Sequence, residues 1–212
     1  MSIYPNVFTT ELGLDPAVVS QRIQDCFNTL FGDDEQKIYF ELGPDRGYLL
    51  DTGNQDARTE GMSYGMMMAV QMDRQDIFNR LWLFAKTYMY QSAGKYQGYF
   101  AWSVRPDGQK NAEGPAPDGE EYFAAALFMA AARWGEQDEP FDYGRQARDI
   151  LRHCVHQAEL VAGGQPMWDP DNHYIKFIPE TPFTDPSYHL PHFYGIFARL
   201  ADPADRPFWA AA

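Results

Sequence analysis

The stretch from Glu120 to Trp134 constrains this chain more than any other. Ala124, Ala125, Leu127, Phe128, Ala131 and Ala132 recur at helical spacing, with no Gly or Pro to interrupt them. Small side chains let neighbouring backbones approach, so the stretch reads as a helix packed closely against others. The same period recurs elsewhere. Asp15-Pro16 supplies a cap and a first-turn proline, followed by Val18, Val19, Ile23, Phe27, Leu30 and Phe31, and Gly32 closes the run. Further helices are expected over about 58–71, from Arg74 through Ile77, Phe78, Leu81, Trp82, Phe84, Ala85 and Tyr88, over about 143–156, over 187–200, and from Ala204 behind Asp202-Pro203. Ile38 to Leu50 reads as irregular or extended, with Gly43, Pro44 and Gly47 as breakers. Two long Gly/Pro/Asp-rich loops, 92–118 and 158–186, interrupt the helices, the first with a short aromatic core from Tyr96 to Trp102. Antiparallel helices joined by long loops imply an all-α toroid or bundle.

Charge narrows the partners. The 212 residues carry a formal net charge of −13 with no cluster of Lys and Arg, which argues against nucleic acid or an anionic membrane. No apolar run reaches membrane-spanning length. Cys26 and Cys154 sit in helical apolar patterns and suggest no disulfide framework. The opening Met-Ser-Ile-Tyr-Pro-Asn lacks the basic and apolar regions of an export signal, so a cytoplasmic protein is expected. His153, Cys154 and His156, like the pair His189 and His192, lack the spacing of a zinc site, and no Gly-rich phosphate loop appears. Neither metal nor cofactor is expected.

Two acidic helix mouths carry the chemistry. In Asp56-Ala-Arg-Thr-Glu60-Gly-Met-Ser-Tyr64, Glu60 stands beside Arg58 at the start of a Met-rich helix. It is either a first-turn carboxylate stabilised by the helix or a general acid kept protonated by Met62 and Met66, with Arg58 pulling towards ionisation. In Pro117-Asp118-Gly-Glu120-Glu121-Tyr122-Phe123, Asp118 is either an N-cap completed by Glu121 in a capping box or a carboxylate that binds a sugar hydroxyl. Trp102, Trp168 and Tyr188 fall in or beside loops and either stack on sugar faces or pack beneath those loops. Trp82, Phe84 and Phe128 belong to helical stripes and are expected in the core.

Five segments together resemble glycoside hydrolase family 8, and most closely its reducing-end xylose-releasing exo-oligoxylanases. They are Tyr48-Leu-Leu-Asp-Thr-Gly-Asn54, Arg58-Thr-Glu-Gly-Met-Ser-Tyr-Gly-Met66, Gly98-Tyr-Phe-Ala-Trp-Ser103, Gly114-Pro-Ala-Pro-Asp-Gly-Glu-Glu-Tyr-Phe123 and Asp185-Pro-Ser-Tyr-His-Leu-Pro-His-Phe-Tyr194, in family order. The resemblance implies an (α/α)6 barrel, a six-hairpin toroid, about half of it present. It implies an inverting hydrolase that frees xylose from the reducing end of β-1,4-xylo-oligosaccharides, with Glu60 as general acid and Asp118 as the carboxylate of the sugar site. Arg58, Tyr64, Trp102, Tyr122, Trp168 and Tyr188 map onto sugar contacts. The general base belongs to the later half of the family fold, outside this chain. Residues 1–212 are therefore expected to be the N-terminal half of one catalytic domain, ending inside the helix that begins at Ala204 and carries Phe208-Trp209. An endo-acting family member cutting xylan, β-glucan or chitosan, and a non-catalytic carbohydrate-binding or assembly module, are the alternative readings.

Overall fold

The computed structural model describes residues 5–212. Met1–Tyr4, on which much of the expectation about an export signal rests, lie outside the described residues. The chain divides into two compact units, one ending at Phe40 and one from Glu41 to Ala212.

The first unit holds α1 (Val7–Thr10) and α2 (Pro16–Gly32). Asp15 caps α2 as expected: its carboxylate accepts the Ala17 and Val18 N–H groups, and Pro16 occupies the first helical position, where no donor is needed. Phe27 stacks on Phe31 at 4.2 Å, and Phe31 meets Tyr39 at 5.5 Å.

Strand β1 (Tyr39–Leu42) carries the chain into the second unit, and β2 (Arg46–Leu49) follows. That unit contains α3 (Thr59–Gln71), α4 (Gln75–Phe84), α5 (Pro117–Trp134), α6 (Tyr143–Leu160), α7 (Pro191–Leu200) and α8 (Arg206–Ala211). Short connections fold α4 back on α3 and α6 back on α5. The helices α3, α5 and α7 run side by side in one direction. Tyr64 meets Tyr122 at 4.6 Å, Tyr122 meets Phe193 at 4.8 Å, and Phe128 meets Phe197 further along. Their N-termini therefore share one end of the unit. The first turns of α5 are buried almost all round, which marks it as an inner helix. Trp82, Phe100 and Phe123, all without exposed surface, pack together at 5.1–5.9 Å in the core. The expected all-α architecture of helical hairpins is the one observed. Among the described residues, no helix is long and apolar enough to cross a membrane.

Several boundaries differ from the sequence expectation. Helix α5 begins at Pro117, earlier than Glu120, because proline suits a first helical position. Ala116 is its N-cap and makes no side-chain cap, so Asp118 is neither an N-cap nor part of a capping box. Helix α7 begins only at Pro191, because the residue before a proline avoids helical backbone and Leu190 is not helical. Pro186–Tyr188 forms a separate 3-10 turn capped by Asp185. His189 therefore lies ahead of the helix that carries His192. Asp205, not Asp202, stands at the start of α8. Helix α4 runs on through a π-turn at Ala85–Met89, and α6 bends at His156.

A small sheet sits at the mouth of α3. Strands β3 (Ala57–Arg58), β4 (Ser103–Val104) and β5 (Lys110–Ala112) pair antiparallel in that order, with Arg58 opposite Ser103 and Ser103 opposite Ala112. Such short strands show no alternating pattern, so the sequence reading places β4 and β5 in a loop and Arg58 at a helix start.

Helices α3 and α5 meet tightly at their first turns. A Cβ on Gly119 would stand 2.4 Å from Thr59 Cβ and Oγ1, whereas one on Gly114 would meet nothing within 4 Å. Gly119→Ala should therefore destabilise the protein by roughly 1–3 kcal/mol, the usual cost of overpacking. Gly114→Ala should change stability by no more than about 0.5 kcal/mol. Urea unfolding of the two variants checks this, and equal midpoints would show that the helices separate without cost.

Candidate active site

The mouth of α3 is built by β3. Arg58 is extended (φ −115°, ψ 149°), and the Thr59 N–H donates to the Trp102 carbonyl at 3.0 Å, locking the helix start to the strand beside it. The Arg58 guanidinium does not turn to Glu60. Its Nε lies 3.0 Å from Asp56 Oδ1 and 3.1 Å from Asp51 Oδ2, and its plane covers the Trp102 ring at 5.0 Å. Asp56 is buried and accepts the Ser103 hydroxyl at 2.6 Å, while Asn111 donates to Ser103 Oγ. Asp51 accepts the Gly53 and Asn54 N–H groups. The cation expected beside Glu60 is thus already shared between two carboxylates.

Glu60 is exposed in the first turn of α3. Met62 and Met66, expected to line it, have no exposed surface and belong to the core. The helical turn between them and Glu60 directs them inward. Asp118, the second residue of α5, is buried, and its Oδ1 has no hydrogen-bond partner. No aligned hydrogen bond joins Asp118 to Glu60, yet the Glu60 carboxyl acts on Asp118. Burial, followed by the facing Glu60 carboxyl, pushes Asp118 up to about 7.

Two further carboxyls lie beneath. Glu120 and Glu121 have no exposed surface. Glu120 Oε1 accepts the Phe100 N–H at 3.0 Å, its Oε2 has no partner, and neither oxygen of Glu121 has one. The Tyr194 hydroxyl, also buried without an aligned partner, faces Glu121, and the Trp168 indole N–H, likewise unaligned, faces Tyr194. Burial raises both glutamic acids well above the carboxylate range, and Asp118 adds to the effect. Among the described residues, no Lys, Arg or His forms an ion pair with Glu120 or Glu121, so proton retention is the remaining way to hold these two in the fold.

Aromatic rings flank the carboxyl pair. The Tyr64 hydroxyl is raised by burial and then by Glu60 and Asp118, and Tyr188 by burial and then by Asp118 and Glu60. Both therefore stand beside the pair. Tyr122 joins Tyr64 to Phe193 by edge contacts. The structure thus brings Glu60, Asp118, Tyr64, Tyr122 and Tyr188 together, with Arg58 and Trp102 forming one side. Trp168 lies apart, fully buried beneath its loop between Trp209 at 5.1 Å and Tyr194 at 6.1 Å, which is the packing arrangement. Sequence reasoning missed the Asp51 and Asp56 partners of Arg58 and the burial of Glu120 and Glu121. Among the described residues, no group of three or more His, Cys, Asp and Glu could hold a metal ion. An exposed carboxyl beside a buried, proton-holding one, walled by aromatic rings, suits binding a polyhydroxylated ring and transferring a proton to it.

The family model for glycosyl hydrolases family 8 matches residues 44–210. The reducing end xylose-releasing exo-oligoxylanase of Halalkalibacterium halodurans is 59% identical over 211 residues, which are 99% of this chain and 54% of that protein. Its counterpart from Paenibacillus barcinonensis is 55% identical over 210 residues, 99% of this chain and 55% of that protein. A mutant of the latter, solved in complex with an arabinofuranosyl-xylotetraose, superposes with a TM-score of 0.94 at 55% identity, covering 97% of this chain and 54% of that one. The chain spans about half the length of the curated relatives it matches. It carries about half of an (α/α)6 toroid.

The acids set a pH dependence with a definite sign. An acid whose pKa is raised in the fold stabilises the protein below its unfolded value, and that contribution is lost as pH rises. For Asp118 the window runs from the ordinary aspartate value of 3.8 to about 7. Asp118→Asn should therefore gain stability relative to the wild type across that window and level off above it. The gain should reach at most roughly 4 kcal/mol. Glu121→Gln should move in the same direction. Denaturant unfolding at several pH values measures the difference, and a gain that grew as pH fell would refute the assignment.

Proposed function

This chain belongs to glycosyl hydrolases family 8, and from that premise we propose that its second unit carries the acid side of an inverting active site releasing xylose from the reducing end of β-1,4-xylo-oligosaccharides. The observation that carries this reading is the exposed Glu60 facing the buried Asp118 among Tyr64, Tyr122 and Tyr188. The activity named for relatives 55–59% identical to this chain favours reducing-end release over endo cleavage.

Glu60, open to the approaching substrate, donates its proton to the glycosidic oxygen as the bond to the leaving xylose breaks. Asp118 binds a hydroxyl of the sugar on the other side of that bond. Its position in the first turn of α5 fixes the carboxyl relative to Glu60. Arg58, held by Asp51 and Asp56, backs Trp102 and stiffens one wall of the sugar site. The tyrosines offer flat faces to pyranose C–H groups. Inversion also needs a base that holds water on the opposite sugar face, about 6.5–9.5 Å from the acid. By likeness to the family, that carboxylate comes from the later half of the toroid, making residues 1–212 the N-terminal half of the catalytic domain. Short xylo-oligosaccharides as substrates fit a cytoplasmic place of action. No cofactor is required by this chemistry.

Xylotriose labelled at its reducing end tests the reading, given to this chain and to a chimera completed with the later half of a relative. The chimera should release labelled xylose and unlabelled xylobiose, and Glu60→Gln should slow it by about 10²–10⁴-fold while binding persists. Label recovered in longer fragments would mean endo cleavage. Saturable binding without turnover in either protein, indifferent to Glu60→Gln, would mean a binding module.

A further inference from the structure

Glu120 has no exposed surface, and neither the proton transfer nor the sugar contacts proposed above use it. Its Oε1 accepts the Phe100 N–H at 3.0 Å. The next two N–H groups of the same segment are also held. Ala101 donates to the Met89 carbonyl at 2.8 Å, and Trp102 to the Gly114 carbonyl at 3.0 Å. Two of these three acceptors are backbone carbonyls, which no side-chain substitution removes. The third is the Glu120 carboxyl.

That segment anchors the start of α3. The first N–H groups of a helix have no partner within it. The Thr59 N–H, at the first position of α3, finds its acceptor in the Trp102 carbonyl at 3.0 Å, and Glu60 is the next residue. The first turn of α5 therefore grips the start of α3 twice. Gly119 presses directly on the Thr59 side chain, and Glu120 acts through residues 100–102 on the Thr59 N–H. Asp118 belongs to the same turn, so one turn of α5 places both members of the carboxyl pair. Glu120 suits a fixed anchor. Burial raises it well above the carboxylate range, so the group that meets Phe100 is a neutral carboxyl. Glutamine reproduces both its shape and its acceptor oxygen.

We propose that Glu120 is a positioning residue for glycosidic cleavage: by holding the Phe100 N–H it sets residues 100–102, and through the Trp102 carbonyl it sets the orientation of Glu60 towards Asp118 and the glycosidic oxygen. This role rests on the function proposed above. Glu120 touches neither sugar nor reacting atom and acts through backbone alone. Leucine, of similar size, leaves the Phe100 N–H buried without an acceptor, and the segment shifts to relieve it. Glu60 moves with the segment. Misplacement by about an ångström slows proton transfer steeply, while Tyr64, Tyr122 and Tyr188 still offer their faces to the sugar.

The test assays the chimera described above on xylotriose with Glu120→Leu, Glu120→Asp and Glu120→Gln, each checked for folding by circular dichroism. Glu120→Leu should lower kcat about ten- to a hundredfold with KM within about threefold. Glu120→Asp keeps the acid but falls one methylene short of Phe100, and should do the same; it decides the matter where the leucine variant does not fold. Glu120→Gln should restore kcat to within about threefold of the wild type and keep its pH profile. Hydrogen exchange at the Phe100 and Thr59 amides should quicken in the leucine variant and not in the glutamine one. Wild-type kcat in a folded Glu120→Leu or Glu120→Asp protein overturns the positioning role and leaves the proposed function standing. Unchanged exchange at Thr59 in those variants overturns the link to Glu60. A pH profile displaced by Glu120→Gln overturns the role in favour of an ionised carboxylate acting by its charge. A wild-type chimera that frees no xylose overturns the proposed function, and the role of Glu120 with it.

Discussion

Gly119 rests so closely on Thr59 that an added methyl group would stand 2.4 Å from the threonine side chain, and this contact draws together the first turns of α3 and α5. Glu60 follows Thr59, and Asp118 precedes Gly119. The glycine that permits the close approach therefore also brings two carboxyls face to face. Glu120 and Glu121 extend the acidic cluster into the core. Four acids at two helix starts would repel one another strongly if all were ionised. Helix N-termini favour negative charge, but by about 1 kcal/mol or less each at exposed positions, too little to balance the burial of several carboxylates. Proton retention resolves the conflict. Burial holds the protons on Asp118, Glu120 and Glu121 above the ordinary carboxylate range.

The same crowding gives the unit its cohesion across the parallel helices. Tyr122 touches Tyr64 on α3 and Phe193 on α7, while Glu121 faces Tyr194 from the buried side of the same turn. One turn of α5 thus joins three helices by its aromatic ring and its buried acid. Glu60 and Asp118 stand on helices locked by packing, while Tyr188 lies on a loop. That loop is fixed in turn through Glu180 to Lys95 and Tyr96. A site on rigid elements holds its carboxyls at a constant separation, which the geometry of glycosidic cleavage demands.

How far the sequence revealed this depends on the length scale of each signal. The cap at Asp15-Pro16 and the apolar run of α5 are local, and both match the structure. Pro117 and Pro191 set their helix starts through equally local chemistry, yet the acidic residues after Pro117 offered a competing cap and drew the boundary too late. The π-turn after α4 and the two-residue strands have no periodic signature at all. Trp168 could stack on a sugar or pack beneath a loop with the same sequence around it. Only its contacts with Trp209 and Tyr194 place it in the core. The Glu60–Asp118 pairing joins residues far apart in the chain, and the residues alone gave no account of it. It entered the sequence reading through the family resemblance.

Arg58 shows what the local reading overlooked and why that matters chemically. Two residues from Glu60 in sequence, it looks like the natural counter-ion. In an extended strand, however, side chains two apart share a face, so Arg58 sides with Asp56. The alternation Asp56-Ala57-Arg58 carried that signal, had the segment been read as strand instead of helix start. The consequence is electrostatic. A guanidinium resting on a carboxyl favours the ionised form, which cannot donate a proton. With Arg58 bound by Asp51 and Asp56, and Asp56 fixed by Ser103, the small sheet holds the positive charge on the wall of the site. Glu60 is left without that guanidinium on its carboxyl.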